Sequence, residues 1–205
     1  MSWLHLGPKI IERRRSEYSG DVKVISGWGY KYIATGMLTQ SGGLVKEVWE
    51  GVLSKYGQKN KSWLILGLAG GTIAKTISDK LRPEKITGVE IDPLMIDLGK
   101  KYLDLTKIPC LEIINADAHS YIMNQKSCFD FILVDMYYGD QLPVFVYSDK
   151  FLRKLKLLGS CVIFNHLFYD PEKQAKAGDL VEKLKIIFPR VELARKLTNL
   201  LIICG

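Results

Sequence analysis

The sequence predicts an α/β fold: a doubly wound, seven-stranded, mostly parallel sheet that ends in an antiparallel hairpin and is preceded by a small N-terminal β-hairpin and helix. Three observations support this class. Short apolar runs alternate with segments of helical periodicity from Ser62 onward, which is the pattern of repeated strand–helix units. The first unit turns through a glycine cluster, and acidic residues follow successive predicted strands. The 205 residues, 47% hydrophobic and 25% charged, have the composition of a globular domain.

The N-terminal residues predict a small β-structure ahead of the main sheet. Residues 1–20 have a polar, basic middle, which indicates a weakly structured segment. Asp21–Thr35 alternates with a period of two around the turn Ser26-Gly27-Trp28-Gly29, as expected of a β-hairpin. The glycines of Gly36–Gly43 then predict a loop.

A helix is expected to separate this region from the main sheet. Leu44–Tyr56 has helical periodicity, and Gly57 breaks the pattern. Its predicted apolar face consists of Leu44, Val48, Val52 and Leu53. We therefore expect two units, an appendage of residues 1–61 and a main domain of residues 62–205.

The first strand–helix unit of the main domain predicts a nucleoside site. The apolar run Trp63–Leu66 stops at a glycine-rich turn, and the helical segment Thr72–Leu81 follows. Glycines in such a turn let a ligand approach the main chain closely. The next strand, Ile86–Ile91, carries Glu90 about 20 residues beyond the turn, where a carboxylate can accept hydrogen bonds from both ribose hydroxyls. The glycines alone favour an ordinary strand–helix connection, and the acid at the end of the next strand reverses that preference.

The alternation continues to the C-terminus. The further predicted helices are Pro93–Leu103, Ala118–Asn124, Val144–Leu157 and Pro171–Phe188. The further predicted strands are Leu111–Asn115, Phe129–Val134, Ser160–Asn165, Arg190–Lys196 and Leu200–Cys204, the last two forming the antiparallel hairpin. Such sheets bind ligands outside the carboxyl ends of their strands. At those ends the sequence places Glu90, Asp92, Asp117 and Asp135.

Composition and charge limit the kinds of ligand and partner that we expect for this protein. The net charge of +7 favours anionic partners, but the charges are spread along the chain, so nucleic acid is not supported. The four cysteines and three histidines lack metal-ligand spacing, and we expect no metal and free, buried thiols. With no long apolar run and no recognisable signal peptide, we expect a cytoplasmic protein without a membrane partner. The edge of the terminal hairpin is compatible with a homodimer.

Four segments of the main domain carry a family resemblance: GLAGGTIAKT, GVEIDPLMIDLGKKY, INADAHSYI and FDFILVDMYYGDQLP. In order and spacing they resemble the motifs of the polyamine aminopropyltransferases (spermidine synthases). They are still more similar to the spermidine synthase-like branch of the class I S-adenosylmethionine-dependent methyltransferases, which have a Rossmann-like fold. The resemblance covers about Ser62–Asn165 and extends more loosely to the upstream hairpin and the segment GMLTQSGG. It implies that the main domain binds S-adenosylmethionine or its decarboxylated form.

The resemblance also implies roles for the matching residues. Glu90 would hold the ribose hydroxyls, Asp117 would accept from the adenine amino group, and Asp135 would lie beside the transferred group. The cofactor-binding set implied in this way is Gln40, Gly67, Ala69, Gly70, Gly71, Glu90, Ile91, Asp92, Asp117, Ala118 and Asp135. The implied catalytic residues are Asp135, Asp140 and Tyr138.

Two departures from the aminopropyltransferase pattern direct the functional prediction. Spermidine synthases have an aspartate where this chain has Ala69, and a second active-site aspartate where it has Tyr138. We therefore predict an S-adenosylmethionine-dependent transferase that methylates a small molecule, with Asp135 and Asp140 orienting or deprotonating the acceptor. One alternative is aminopropyl transfer from decarboxylated S-adenosylmethionine to an amine. The other is a non-catalytic adenosyl-binding or scaffold domain.

Overall fold

A computed structural model describes residues 7–27 and 29–205; predictions that fall on residues 1–6 and on Trp28 lie outside the described residues. The strands within the described residues are β1 Lys9–Ser16, β2 Gly20–Gly27, β3 Tyr30–Thr35, β4 Leu38–Gly42, β5 Ser62–Leu66, β6 Lys85–Glu90, β7 Leu111–Asn115, β8 Phe129–Val134, β9 Gly159–Leu167, β10 Val191–Lys196 and β11 Asn199–Cys204. The α-helices are α1 Leu44–Tyr56, α2 Thr72–Leu81, α3 Pro93–Tyr102, α4 Ala118–Asn124, α5 Asp149–Leu158 and α6 Pro171–Ile187, with 3-10 turns at Leu105–Lys107 and Val144–Tyr147.

Seven of the described strands form the main sheet, in the order β10-β11-β9-β8-β5-β6-β7. The neighbours from β9 to β7 are parallel, whereas β11 is antiparallel to both β9 and β10. The predicted fold class is therefore confirmed. The chain runs from β5 outward to β7 and returns to β8 on the other side of β5. The strand order thus reverses between β5 and β8, which is where sheets of this kind bind ligands.

Alternate side chains of the central strand β5 face two different apolar layers. Trp63 and Ile65 pack with α1 and α2, whereas Leu64 and Leu66 pack with α5 and α6. All four side chains are fully buried. This follows from the two-residue period of a strand, and it explains why β5 is apolar throughout.

Helix α1 has the predicted limits but a different buried face. Its buried side chains are Val48, Trp49, Val52 and Leu53, whereas Leu44 is 53% exposed. The placement of Leu44 in the apolar core was therefore wrong, because the first turn of α1 borders a cavity instead of the sheet. Trp49, which the predicted face omits, is fully buried.

The N-terminal strands form a separate antiparallel sheet in the order β1-β2-β3-β4. The predicted hairpin is confirmed as β2 and β3. Two other predictions were wrong, since Lys9–Ser16 is a strand within the weakly structured segment expected, and Leu38–Gly42 is a strand within the expected loop. Strand β1 pairs along its length with β2, although most of its side chains are exposed. Its extended conformation is therefore stabilised by main-chain pairing, and side-chain burial contributes little.

Polar and apolar contacts hold the N-terminal sheet against the main sheet. Ser41 Oγ lies 2.8 Å from Thr72 Oγ1, and the Gly42 N–H donates to the same oxygen at 2.6 Å. An apolar cluster joins β2 and β3 to α3 and consists of Val22, Val24, Ile33, Met95 and Leu98. These contacts place β4 beside the glycine turn, where the candidate site lies.

Two further findings concern the exposure of the cysteines and the length of the apolar helices. The cysteines are free, but Cys110 and Cys128 are exposed, contrary to the expectation of buried thiols, because they lie in the connections that precede β7 and β8. Among residues 7–27 and 29–205, no helix is long and apolar enough to cross a membrane.

Candidate active site

A cavity of about 430 Å³ opens at the carboxyl ends of the parallel strands. The glycine turn after β5 and the residues that follow β6, β7 and β8 form its floor, while β4, α1 and the β10–β11 turn form its walls. A volume of this size is in the range of small-molecule sites. Of the predicted cofactor-binding residues, the cavity lining includes Gln40, Gly67, Ala69, Glu90, Ile91, Asp117, Ala118 and Asp135.

The glycine turn has a backbone that few other residues could adopt. Gly67 has φ +91°, and a Cβ there would lie 2.1 Å from the carbonyl oxygen of Asp135. The turn is tied to the next strand, because the N–H groups of Gly67 and Leu68 both donate to the Val89 carbonyl. Ala69 then enters the left-handed region with φ +46°. The turn thereby brings main-chain atoms to the cavity surface.

Glu90 is fixed by main-chain donors. Its Oε2 accepts from the Ala69 N–H at 2.7 Å, and its Oε1 accepts from the Asp92 N–H at 2.9 Å. Only 8% of the residue is exposed, yet it reaches the cavity surface. Burial raises the pKa of its carboxyl, and the two backbone hydrogen bonds oppose that rise. Each oxygen keeps a second lone pair, which can accept from a ligand hydroxyl.

Asp117 and Gln40 lie on the adjoining walls. Asp117 caps α4, with its Oδ2 accepting from the Ser120 N–H at 2.8 Å. Its side chain therefore retains a second oxygen for a ligand donor. Gln40 in β4 donates from Nε2 to Thr35 Oγ1 at 2.8 Å, which leaves its carbonyl oxygen as an acceptor beside the cavity.

Asp135 follows β8 and is held by two side-chain donors. Its Oδ2 accepts from the Trp49 indole N–H at 3.1 Å, and its Oδ1 accepts from Asn165 Nδ2 at 2.7 Å. Asn199 Nδ2 donates to Asn165 Oδ1 at 2.8 Å and fixes that amide in turn. Burial raises the pKa of Asp135 to about 6, against the hydrogen bonds from Asn165 and Trp49, which lower it. A carboxylate with this pKa can exchange a proton near neutral pH.

Three members of this network were missed by the sequence predictions: Trp49, Asn165 and Asn199. A usable signal existed for Asn165, because it is a polar residue at the end of the apolar run Cys161–Phe164 and is 5% exposed. Trp49 had no such signal, since an aromatic residue in an amphipathic helix is typical of packing.

Four residues of the predicted cofactor and catalytic sets are absent from the described lining of the cavity: Gly70, Gly71, Asp92 and Asp140. Gly70 packs instead against neighbouring side chains, where a Cβ would lie 2.7 Å from Leu103. Gly71 is the N-cap of α2 with φ +89°, and a Cβ there would lie 2.3 Å from Leu105. Both glycines therefore serve close packing of the turn.

Asp92 and Asp140 are engaged elsewhere. Asp92 is 1% exposed and accepts from the hydroxyls of Ser16 and Ser19, both at 2.6 Å, while capping α3 through the Leu94 N–H. It therefore ties the β1–β2 turn to the main sheet.

The Asp140 carboxylate lies 2.6 Å from Lys173 Nζ and accepts from the Tyr169 hydroxyl at 2.7 Å. The hydrogen bond from Lys173 lowers the Asp140 pKa to about 2. Tyr138, by contrast, lines the cavity and is 51% exposed.

The charges of the cavity are of one sign. Glu90, Asp117 and Asp135 line it, whereas no lysine, arginine or histidine does so among the described residues. The chain as a whole has a net charge of +7, so the acidic lining is a local feature. A carboxylate-lined cavity favours a cationic ligand.

Comparison with known proteins agrees with this geometry. The family model "Spermine/spermidine synthase domain" matches residues 35–162. Among curated proteins, the chain is 30% identical over 125 residues to a polyamine aminopropyltransferase of Neisseria meningitidis serogroup B, covering 60% of this chain and 47% of that protein. It is also 29% identical over 79 residues to an eEF1A lysine and N-terminal methyltransferase homolog of Drosophila melanogaster, covering 37% of this chain and 12% of that protein. The chain spans less than half the length of these relatives.

Solved structures agree on the fold. A probable spermidine synthase from Corynebacterium glutamicum superposes with a TM-score of 0.77 at 16% identity, covering 96% of this chain and 80% of that one. Human methyltransferase-like protein 13, solved in complex with SAH, gives a TM-score of 0.61 at 22% identity, covering 78% of each chain. Identities this low establish the fold alone. Because the family model matches more than half of its residues, the chain belongs to the spermine/spermidine synthase domain family.

Proposed function

We propose that the chain is a transferase that moves an aminopropyl group from decarboxylated S-adenosylmethionine to an amine. The observation that carries this proposal is the charge of the cavity: its described lining contains the carboxylates of Glu90, Asp117 and Asp135 and no basic side chain. The curated relatives named polyamine aminopropyltransferases support the same reaction. The sequence predicts aminopropyl transfer as the alternative to methyl transfer, and the charge of the cavity favours this alternative.

The charge argument separates the two forms of the donor. Decarboxylated S-adenosylmethionine carries a sulfonium and an ammonium, whereas S-adenosylmethionine adds a carboxylate. A carboxylate near Glu90 or Asp135 would meet like charge in a partly buried cavity, where charges interact more strongly than in water. The acceptor amine is also cationic before it reacts. An acidic cavity therefore suits both partners of aminopropyl transfer.

Each residue of the candidate site would have a separate role in the proposed reaction. Glu90, fixed by two main-chain donors, would accept from the ribose hydroxyls, and Asp117 would accept from the adenine amino group. The bound sulfonium supplies an activated carbon and a good leaving group. Asp135 would take a proton from the acceptor ammonium, since its pKa of about 6 lies near neutral pH. Trp49 and Asn165 keep its two oxygens in one orientation, which favours alignment of the acceptor.

One observation favours methyl transfer as a second candidate. The glycine turn presents Ala69 to the cavity, so it provides no side-chain carboxylate for the propylammonium group of the decarboxylated donor. The curated relatives also include an eEF1A lysine and N-terminal methyltransferase homolog. Methyl transfer would use the same adenosyl contacts, with S-adenosylmethionine as the donor.

Calorimetric titration with both donors, side by side, distinguishes the candidates. Aminopropyl transfer predicts tighter binding of the decarboxylated donor and, with an added primary amine, release of 5′-methylthioadenosine detected by mass spectrometry. Tighter binding of S-adenosylmethionine with release of S-adenosylhomocysteine would replace the proposal by methyl transfer. Binding of neither donor would leave the non-catalytic alternative. Glu90→Gln is the control for specific binding, because it removes one charged acceptor while keeping the shape of the side chain.

A further inference from the structure

The carboxylates of the cavity lie at the carboxyl ends of three strands of the main sheet, β6, β7 and β8. Glu90 ends β6, Asp117 follows β7, and Asp135 follows β8 at the reversal of the strand order. Beyond β8, the cavity is bounded by the end of β9, the β10–β11 turn and α1. We call this part the acceptor half, since the adenosyl contacts proposed above lie on the β5–β7 side.

The described lining of the acceptor half is neutral. It includes Trp49, Asn165, Leu167 and Leu197, and Asp135 is the carboxylate at its boundary. The Asn165 amide is already engaged by Asp135 and Asn199. An ammonium group placed beyond Asp135 would therefore lose water without gaining a carboxylate, which is unfavourable.

The next carboxylate along the chain is held away from the cavity. Asp140 pairs with Lys173 at 2.6 Å, and the lysine side chain is only 4% exposed. Lys173 also lies 3.5 Å from Asp170, so two acids compensate one enclosed cation. Releasing Asp140 toward a ligand would leave that cation less well compensated.

Leu197 supplies a second, independent observation. It lies in the β10–β11 turn with φ +53°, a backbone region that bulky side chains rarely adopt and that glycine, asparagine and aspartate tolerate. Its side chain nevertheless lines the cavity and is 50% exposed. Leu44 on α1 also lines the cavity and is 53% exposed. The two-residue turn between the paired Lys196 and Asn199 requires this conformation, and it presents an apolar side chain at the edge of the site.

We infer that the acceptor is a primary monoamine with an apolar body, rather than a diamine or a polyamine. The inference rests on the proposed function and specifies its substrate class. The acceptor ammonium gives one proton to Asp135, and its nitrogen lone pair forms the new N–C bond. The C–S bond breaks with its electron pair remaining on sulfur, so a neutral thioether and a secondary ammonium result. The apolar body lies against Leu197 and Leu44.

Two acceptors of equal chain length test the inference. With decarboxylated S-adenosylmethionine as donor, we expect kcat/KM for n-hexylamine to exceed that for hexane-1,6-diamine by about tenfold or more, because the second ammonium finds no carboxylate. Release of 5′-methylthioadenosine reports both reactions equally. A preference for the diamine would overturn the inference.

Leu197 offers a matched pair of variants, since aspartate and asparagine both suit its backbone conformation. Leu197→Asp adds a carboxylate to the acceptor half and should raise the diamine-to-monoamine ratio of kcat/KM by about tenfold. Leu197→Asn, which has the same shape without the charge, should leave the diamine the poorer acceptor. An equal rise in both variants would contradict the charge argument.

A binding measurement separates failure of this inference from failure of the proposed function. The chain is first saturated with 5′-methylthioadenosine, and each amine is then titrated by calorimetry. If no amine is turned over, the proposed function fails, but tighter binding of n-hexylamine still supports the inference. Equal binding, tighter binding of the diamine or no detectable binding of either amine would overturn it.

Discussion

Ionisation of Asp135 should make the folded chain less stable as the pH rises. Burial raises its pKa from 3.8 to about 6, so the folded state binds this proton more tightly than the unfolded state does. Below the pKa of Asp135 in the unfolded state, the carboxyl is protonated in both states and its ionisation costs no stability. This stability is lost as the pH rises through the pKa of Asp135 in the folded state. The difference of about 2 pKa units corresponds to about 3 kcal/mol of unfolding free energy at neutral pH. Of this, about 2 kcal/mol falls between about pH 4.5 and about pH 7.5.

The variant Asp135→Asn isolates this contribution, because asparagine does not titrate. Urea unfolding followed by tryptophan fluorescence would give the free energy of unfolding of both proteins across that pH interval. Other groups titrate equally in both, so the wild-type minus variant difference should decrease by about 2 kcal/mol from the acid to the neutral end. The absolute stability of the variant is a separate matter. Its amide has one acceptor oxygen for the two donors Trp49 and Asn165.

A difference that stays constant with pH would show that Asp135 titrates alike in the folded and unfolded states. A difference that increases with pH would mean that the hydrogen bonds from Trp49 and Asn165 outweigh burial and lower the pKa. Either result would remove the argument that Asp135 exchanges a proton near neutral pH.

Four further predictions follow from the geometry of the site. Affinity for the decarboxylated donor should fall about fourfold from about pH 7.5 to about pH 5.5, because Asp135 becomes protonated; calorimetry in both buffers measures this. Glu90→Gln should weaken 5′-methylthioadenosine binding by about tenfold or more, since a charged acceptor is lost, whereas unchanged affinity in a calorimetric titration would contradict the ribose assignment. Asp92→Ala should lower the free energy of unfolding in urea by about 2–3 kcal/mol through loss of a helix cap and of two hydroxyl partners, with nucleoside affinity retained in the folded protein. Lys173→Met should lower the melting temperature without changing donor affinity, because its partner Asp140 lies outside the cavity lining; a change in donor affinity of the folded variant would place the released Asp140 carboxylate in the site.

The main sheet was predictable from the sequence, because its strands carry local signals. β5 and β8 are apolar along almost their whole length and are followed by a turn or an acid, so each could be recognised without knowledge of its neighbours. β1 could not be recognised in this way. Its sequence KIIERRRS is largely exposed, and its conformation depends on pairing with β2, which leaves no periodicity to detect.

The residues of the candidate site show the same difference between local sequence signals and tertiary contacts. Glu90 and Asp92 are both acids at the end of β6, and the sequence alone does not distinguish them. The distinction comes from Ser16 and Ser19, whose hydroxyls bind Asp92 from more than 70 positions away. Asp140 is similarly withdrawn by Lys173 on α6. Both outcomes depend on contacts with distant elements, whereas Glu90 accepts from the N–H groups of Ala69 and Asp92, which belong to the same strand–helix–strand unit.

The chemistry of Asp135 depends on residues from both sides of the boundary predicted at residue 61. Trp49 belongs to α1 in the N-terminal region, and Asn165 lies in β9 of the main sheet. Without either donor, the carboxylate would have a smaller hydrogen-bonding shell in the same partly buried position, and its pKa would rise further above the ordinary value of an aspartate. The N-terminal region thus does more than cover the cavity. Its tryptophan helps to keep Asp135 ionised at the pH where an acceptor ammonium must lose its proton, so proton transfer in the proposed reaction requires both parts of the chain.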